Sequence, residues 1–369
     1  MLLVHHFSLS HITGVTVMIA EILRLFPATG EGRADYLSFS GTPTDFTREL
    51  DKKHSDATSI IGINLHIEVQ WEFSLALLEW CQARCIPVWV YIHDYWPHHF
   101  DNVAAVVEMG AKLLASTEFL KDSLAADGYS AEVVTVGVPI PEALPPVHPS
   151  PRRTIPMIFA SSGRLTPRKR FYDIASAFRE AALENGAMLY LRLLPSHVFD
   201  NREDAEQMRL IEKEIPEDSK ETGRVRLDRV PSAGAFDYTP YFAYVCSSAY
   251  EGFSMSPIES AYSGCPPLMS DIPAHKVIAQ TLFGDRADDF LYPLGDTNAL
   301  ARMMRDEAAT ERRRQFIAAH STEIRATIKK RWSLATTAKL LAETGRMKPI
   351  AGNGLFAEPS DILSHNCRA

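Results

Sequence analysis

No stretch of this chain approaches the ~20 consecutive apolar residues that a membrane-spanning helix needs, so no span is expected. The first residues, Met1-Leu2-Leu3-Val4-His5-His6, carry neither a basic segment nor a long apolar one, which argues against a secretory signal. Positive charge is in deficit: 38 Lys and Arg stand against 46 Asp and Glu, a formal net charge of −8. Nucleic-acid-binding domains usually carry a basic face, so nucleic acid is not expected as a partner. Cysteine is scarce and odd in number, five in 369 residues, with Cys81 and Cys85 one helical turn apart and the others scattered. Without framework spacing, that pattern points to reduced thiols in a cytoplasmic protein. Gly-x-Gly-x-x-Gly, P-loop and His-Glu-x-x-His motifs are all missing, as are internal repeats and long low-complexity tracts. What remains is an ordinary soluble composition, 46% hydrophobic and 23% charged, in a chain long enough for two domains with ample cores.

Strand and helix patterns alternate along the chain. Leu2 to His6 reads as a short buried strand. After the loop from Ser8 to Gly14, Val15, Ile19, Ile22, Leu23 and Phe26 fall at helical spacing. Strands are expected at Ser59–Leu65, Pro87–Ile92, Lys112–Ser116 and Ala131–Val138, and helices at Phe73–Gln82 and Glu118–Ala126. Proline then accumulates at 139, 141, 145, 146, 149 and 151, a semi-rigid linker by composition. A second alternating series follows, with strands at Pro156–Ser161, Ala187–Leu194, Arg224–Val230, Phe242–Ser247, Pro267–Ser270 and Phe290–Pro293. Its helices are expected at Phe171–Leu183, Asp204–Ile215, Ala235–Tyr241, Pro257–Tyr262 and, as one long element, from Asn298 to about Lys330. The stretch from Met347 onward reads as a loosely held tail. Such alternation implies two parallel sheets, each covered on both faces. In these sheets ligands bind outside the C-terminal ends of the strands.

Two segments at such ends carry chemistry. One runs Ser247-Ser248-Ala249-Tyr250-Glu251-Gly252-Phe253-Ser254-Met255-Ser256-Pro257-Ile258-Glu259: a strand end, a tight loop and a helix start. Ser256 suits an N-cap, Pro257 a first helical position and Glu259 a capping-box acid, with Gly264 as the stop. A helix N-terminus behind a small-residue loop favours an anion. Glu251 lies eight positions before Glu259, at the mouth of the loop. Taken alone, Glu259 is as well explained as a cap and Glu251 as an ordinary loop acid. The second segment, Gly163-Arg164-Leu165-Thr166-Pro167-Arg168-Lys169, also joins a strand to an amphipathic helix and places cations where a phosphorylated ligand needs them.

These two segments, with Ser263-Gly264-Cys265-Pro266-Pro267 and Ser270-Asp271-Ile272-Pro273-Ala274-His275, resemble a retaining glycosyltransferase of the GT-B fold, glycosyltransferase family 4. The first half is similar more thinly, through Thr13-Gly14-Val15 and His93-Asp94. The resemblance implies an α/β architecture of two doubly wound Rossmann-like domains with a cleft between them. Residues 1–150 would form the acceptor side, 151–346 the nucleotide-sugar donor side, and 347–369 a tail. It further implies a hexosyltransferase of the polysaccharide-biosynthesis kind, moving a sugar from a nucleotide-diphosphate sugar to a glycan, lipid-linked or small-molecule acceptor. Such enzymes typically use no metal and no other cofactor. Arg164 and Lys169 would compensate the diphosphate, and amides from Gly252 through Phe253, Ser254 and Met255 to Ser256 would hold phosphate and sugar hydroxyls. Glu259 would accept from the ribose, Glu251 from the donor sugar, His93 would lie near the reacting carbon, and backbone at Gly14 would approach the phosphates. One departure stands out: the family usually has Gly after its phosphate Lys, where this chain has Arg170.

Plainer readings stand beside these. Gly14 alone is a turn glycine. His93-Asp94 with His98-His99 has ligand types that zinc accepts, but no regular helix sets their geometry, and no metal is expected. Arg164 and Lys169 could be solvated cations, as Arg312-Arg313-Arg314 are expected to be. Trp71, Trp80, Trp89 and Trp96 are expected in packing rather than in a sugar platform. Competing functions are a non-catalytic nucleotide-sugar- or glycan-binding relative on the same scaffold, or another GT-B activity such as a sugar-nucleotide epimerase. The expected location is the cytoplasm, with at most peripheral attachment at the inner membrane face, since no strong basic amphipathic helix is visible.

Overall fold

A computed structural model of the chain describes residues 1–6, 14–29, 34–67, 70–93, 95, 100–135, 137–138, 157–181, 187–195, 201–230 and 236–346. The proline-rich linker, Thr13, Asp94, Trp96, His98, His99 and the tail from 347 lie outside these residues. Two compact units emerge: Met1–His11, Ile19–Thr135 and Thr337–Ala369 form the first, Ile12–Met18 and Val136–Thr336 the second.

The first unit holds β1 (Leu2–His5), the greater part of α1 (Gly14–Leu25), β2 (Asp35–Ser38), α2 (Pro43–Lys53), β3 (Ile60–Ile63) and α3 (Trp71–Ala83). It continues with β4 (Val88–Ile92), α4 (Phe100–Glu108), β5 (Lys112–Ala115), α5 (Glu118–Ala126) and β6 (Ala131–Val133). All strands are parallel, in the order β2-β1-β3-β4-β5-β6. A parallel sheet is covered on both faces, which is why β4, Val-Trp-Val-Tyr-Ile, is apolar at every position and wholly buried. Trp80 and Trp89 are core residues, and the Trp80 indole donates to Asp51 Oδ1 at 2.9 Å. Three elements here were not expected from sequence: β2, α2 and α4. For α2 the signal existed, since Thr42 and Asp45 form a capping box around Pro43.

The second unit holds β7 (Ile158–Arg164), α6 (Phe171–Ala181), β8 (Met188–Leu194), α7 (Asn201–Glu214), α8 (Glu217–Glu221), β9 (Val225–Arg229) and β10 (Ala243–Cys246). Then come α9 (Met255–Tyr262), β11 (Pro267–Ser270), α10 (Pro273–Phe283), β12 (Leu291–Tyr292), α11 (Thr297–Arg305), α12 (Glu307–Ala319), α13 (Ser321–Trp332) and the start of α14 (Leu334–Arg346). The strands are again parallel, in the order β12-β11-β10-β7-β8-β9. Odd positions of β8, Leu189, Leu191 and Leu193, enter one apolar cluster with α6, while Tyr244 and Cys246 of β10 enter another with α9, α10 and α13.

Several expectations are corrected. The helix expected from 298 to 330 is three helices, because Asp306 ends α11 and caps α12, its carboxylate accepting from Ala309 N at 2.7 Å. No helix occurs over 236–241: Asp237 Oδ1 accepts from both the amide and the hydroxyl of Thr239, and that local Asx bonding, followed by Pro240, competes with helix. The strand expected through Val138 stops at Val133, and Val138 instead bridges to Ser333. Beside it Gly137 is required, since a Cβ there would stand 2.5 Å from the Leu334 backbone. Arg313 and Arg314 are not solvated: Arg313 is 7% exposed with its Nε on the Asp289 carbonyl, and Arg314 donates to the Tyr241 carbonyl. Cys81, Cys246 and Cys265 are free thiols, but Cys85 is disulfide-bonded, against the expectation of reduced cysteines throughout. Among the described residues no helix is long and apolar enough to cross a membrane.

Candidate active site

In the second unit the strand order reverses between β7 and β10. From β7 the chain moves outward to β8 and β9, and from β10 to β11 and β12. Ligands of open α/β sheets bind outside the carboxyl ends of the strands at such a point. Both segments singled out in the sequence begin there.

After β7, Pro167–Lys169 form one 3-10 turn, with Pro167 supplying its fixed φ at the start. Arg170 follows in the left-handed region, φ 49° and ψ 44°, a conformation that glycine adopts without strain. A non-glycine residue in that region costs about 1–2 kcal/mol. Two contacts hold it: Arg170 Nε donates to Asp173 Oδ2 at 2.6 Å, and Ser247 Oγ donates to the Arg170 carbonyl at 2.8 Å. The Arg170 charge is thereby engaged at the start of α6, not at the loop mouth.

After β10 the second loop is stitched to the first. Ser247 Oγ also reaches the Lys169 carbonyl at 2.7 Å, and Ala249 N donates to the Arg168 carbonyl at 2.7 Å. Lys169 Nζ then meets Glu251 Oε1 at 2.5 Å, Ser248 Oγ donates to the same oxygen at 2.6 Å, and Arg168 stands 3.7 Å from Oε2. Glu251 is only 5% exposed. Burial alone would push its carboxyl up, but Lys169 and Arg168, with hydrogen bonds from Lys169 and Ser248, hold it at about 2. Arg164 ends β7, and the second cation beside Glu251 is Arg168, to which the sequence alone assigns no role.

The ordinary value is 4.5 and the folded value about 2, so the ionised Glu251 contributes stability above pH 4.5 that is lost as pH falls from 4.5 toward 2. Denaturant titrations should show Glu251→Gln less stable than wild type at neutral pH, with the gap closing across that acid window. A gap independent of pH would contradict the pairing.

The helix α9 starts at Met255 with Ser254 as N-cap residue, two positions before the expected start. Ser256 and Pro257 are therefore its second and third residues. Proline is tolerated there because first-turn amides have no intrahelical acceptor. The Ser254 hydroxyl makes no cap bond. It lies 3.2 Å from His275 Nε2 instead. Glu259 is not a capping acid either: Tyr238 donates its hydroxyl to Glu259 Oε2 at 2.7 Å. Burial raises the Glu259 carboxyl, and the bond from Tyr238 opposes only part of that rise. Gly252 is buried, and the half-buried Phe253 packs edge-on against Trp332 at 6.0 Å. Tyr238 and His275, 21 and 16 residues from Glu259, carry no sequence signal as site residues, since tertiary pairs of this kind leave no local pattern.

In the first unit the order reverses between β1 and β3. Gly14, which follows β1 in the chain but falls in the second unit, is the first residue of α1. His93 follows β4: its backbone N donates to Asn64 Oδ1 at 2.9 Å, and its ring meets Tyr91 edge-on at 4.6 Å. Asn64 itself sits at φ 56°. Burial lowers the His93 imidazole to about 4, so it is neutral, and its buried Nε2 has no hydrogen-bond partner among the described residues.

No family model matches the sequence, and no curated protein matches it. Solved structures do match. Sucrose-phosphate synthase from Thermosynechococcus elongatus superposes with a TM-score of 0.68 at 14% identity, covering 93% of this chain and 98% of that one. HepE of Anabaena, in complex with UDP-glucose, gives a TM-score of 0.64 at 15% identity, covering 93% and 98%. A glycosyltransferase from Rickettsia africae gives 0.66 at 11% identity, covering 93% and 97%. At such identities the likeness is one of fold, and the fold is GT-B: two six-stranded parallel α/β domains.

Proposed function

We propose that this chain is a retaining glycosyltransferase of family 4, a hexosyltransferase that moves a sugar from a nucleotide-diphosphate sugar to a glycan, lipid-linked or small-molecule acceptor without a metal. The observation that carries the reading is the cluster of Lys169, Arg168, Ser248 and Glu251 at the strand-order reversal of a GT-B domain. Residues 151–346 are the donor side and 1–150 the acceptor side. Lys169 and Arg164 meet the diphosphate, whose charge grows as it departs and is stabilised by positioned cations and by amides of the Gly252–Ser256 segment. Glu259, with Oε2 held by Tyr238, presents Oε1 to the ribose. Glu251 has Oε1 occupied by Lys169 and Ser248, which aims Oε2 at the donor sugar, where a fixed negative charge stabilises an oxocarbenium-like transition state. His93 offers its Nε2, unpaired among the described residues, to substrate as a neutral imidazole. In a front-face displacement the leaving phosphate takes the acceptor proton, so no separate base is required. The enzyme works in the cytoplasm, attached to membrane at most peripherally.

A thermal-shift screen of UDP-, GDP- and ADP-sugars tests this reading. A ligand that binds only the folded state stabilises it by about 2.7 kcal/mol at a hundredfold excess over Kd. At least one donor class should raise Tm clearly, and no response to any of the three would overturn the reading. Product anomericity by NMR tests retention, and an inverted linkage would remove the chain from the retaining class.

A further inference from the structure

Behind Glu251 stand two buried groups to which the proposed reaction gives no task. Cys246 ends β10, and His275, 0% exposed, is the third residue of α10. His275 Nδ1 lies 2.8 Å from the Ser270 carbonyl. A carbonyl can only accept, so Nδ1 carries a proton and Nε2 faces inward. Nε2 stands 3.5 Å from Cys246 Sγ and 3.2 Å from Ser254 Oγ. Ser270 Oγ, 3.2 Å from His275 Nδ1, donates to the Ser248 carbonyl at 2.6 Å. Cys246 Sγ in turn lies 3.6 Å from Ser248 Oγ, the hydroxyl that holds Glu251, and 3.9 Å from Ser254 Oγ. One imidazole therefore secures both feet of the Glu251 loop: Ser254 directly, and Ser248 through Ser270 and Cys246. Ser254 makes this contact in place of a cap bond to α9.

We propose that His275 is a positioning residue of the donor site, which with Cys246 forms a buried acid–base pair that locks the 248–254 loop and so fixes Glu251. The proposal rests on the donor reading of that loop. Charged and titratable groups facing the pair are Lys169 and Glu251 from the two loops, Tyr244 on β10, and Tyr292 on β12, whose hydroxyl donates to the Cys246 carbonyl at 3.3 Å. Burial pushes the Cys246 thiol up, but His275, and then Lys169, outweigh it and bring the thiol to about 7. His275 moves the opposite way: burial lowers it, and Cys246 and Glu251 more than compensate. Cys81 and Cys265, with no imidazole beside them, are pushed by burial to about 12 and about 11. The sulfur and Nε2, 3.5 Å apart, each favour the charged form of the other, and this contact ties the loop to α10.

The test combines rate with a thiol signature. His275→Ala should cut kcat roughly tenfold or more, in keeping with the rate cost of small misplacements at a reacting centre. His275→Gln, whose amide reaches Ser254 and Cys246, should restore most of it. The ultraviolet thiolate titration of wild type, taken as a difference against Cys246→Ser, should fall near neutral pH. In His275→Gln it should move alkaline by about one pH unit or more. Should His275→Ala fail to fold, Ser254→Ala, which removes one foot and keeps the imidazole, carries the rate measurement with the same expected direction. Unchanged kcat in the His275 and Ser254 variants, or a thiol titration that His275→Gln leaves in place, overturns the proposal. If wild type turns over no nucleotide-sugar, the donor reading falls. The titration, with amide exchange of residues 248–254, then decides by itself whether His275 locks the loop.

Discussion

Glu251→Gln is expected to lose turnover by roughly 10²–10³-fold while donor affinity changes only a few-fold, the pattern of an interaction strengthened in the transition state. The substitution keeps the shape, removes the charge and turns one acceptor oxygen into an NH2 donor. That charge is held in place before reaction: Oε1 is fixed by Lys169 at 2.5 Å and Ser248 at 2.6 Å, and Oε2 has only the 3.7 Å approach of Arg168 among the described residues. Depression of the carboxyl to about 2 keeps it ionised at any working pH, so it acts as a fixed anion and not as a proton donor. Glu259 should behave in the opposite way. Its carboxyl is raised and tied to Tyr238 inside the start of α9, so Glu259→Gln should weaken donor binding with kcat little altered. Steady-state kinetics on the two variants decide the assignment. Near-normal turnover in Glu251→Gln would reduce that residue to an ordinary buried ion-pair member.

Lys169→Ala should weaken nucleotide-diphosphate binding by about 1.5–3 kcal/mol, the range for hydrogen bonds to charged groups, or roughly ten- to a hundredfold in Kd. The variant also strands the Glu251 carboxylate, and breaking a buried pair by removing one partner costs several kcal/mol of stability. These two losses must be separated, because a lysine serving only as counterion to Glu251 would show the second without the first. The double variant Lys169→Ala with Glu251→Gln does this. Neutralising both partners should recover much of the stability and none of the affinity. Calorimetry showing wild-type affinity in the double variant would make Lys169 a structural cation.

Much of this arrangement was legible in the residues themselves. Strands such as Val88–Ile92 and, up to Met269, Pro267–Ser270 are runs of apolar and aromatic residues, and a parallel sheet buried on both faces demands such runs. The two chemistry-bearing loops could be placed because each joins such a strand to a helix. What escaped depended on partners distant in the chain. Lys169 and Glu251 are 82 residues apart, and Ser254 abandons its cap because His275, 21 residues on, offers a stronger partner. That pull shifts the start of α9 to Met255 and frees Glu259 for Tyr238. Arg313 and Arg314 read as a surface charge run, yet the carbonyls of Asp289 and Tyr241 draw them in. The long pattern after Asn298 hid its breaks because Asp306 and His320 interrupt hydrogen bonding without glycine or proline.

The central claim, that the strand-order reversal of the second unit is the donor site, is tested most directly by a crystal structure with a nucleotide-diphosphate sugar bound. The diphosphate should lie within hydrogen-bond distance of Lys169 Nζ and of amides in the Gly252–Ser256 segment, with Glu251 Oε2 on a sugar hydroxyl. A ligand bound elsewhere, or a diphosphate held without Lys169 and those amides, would contradict the account.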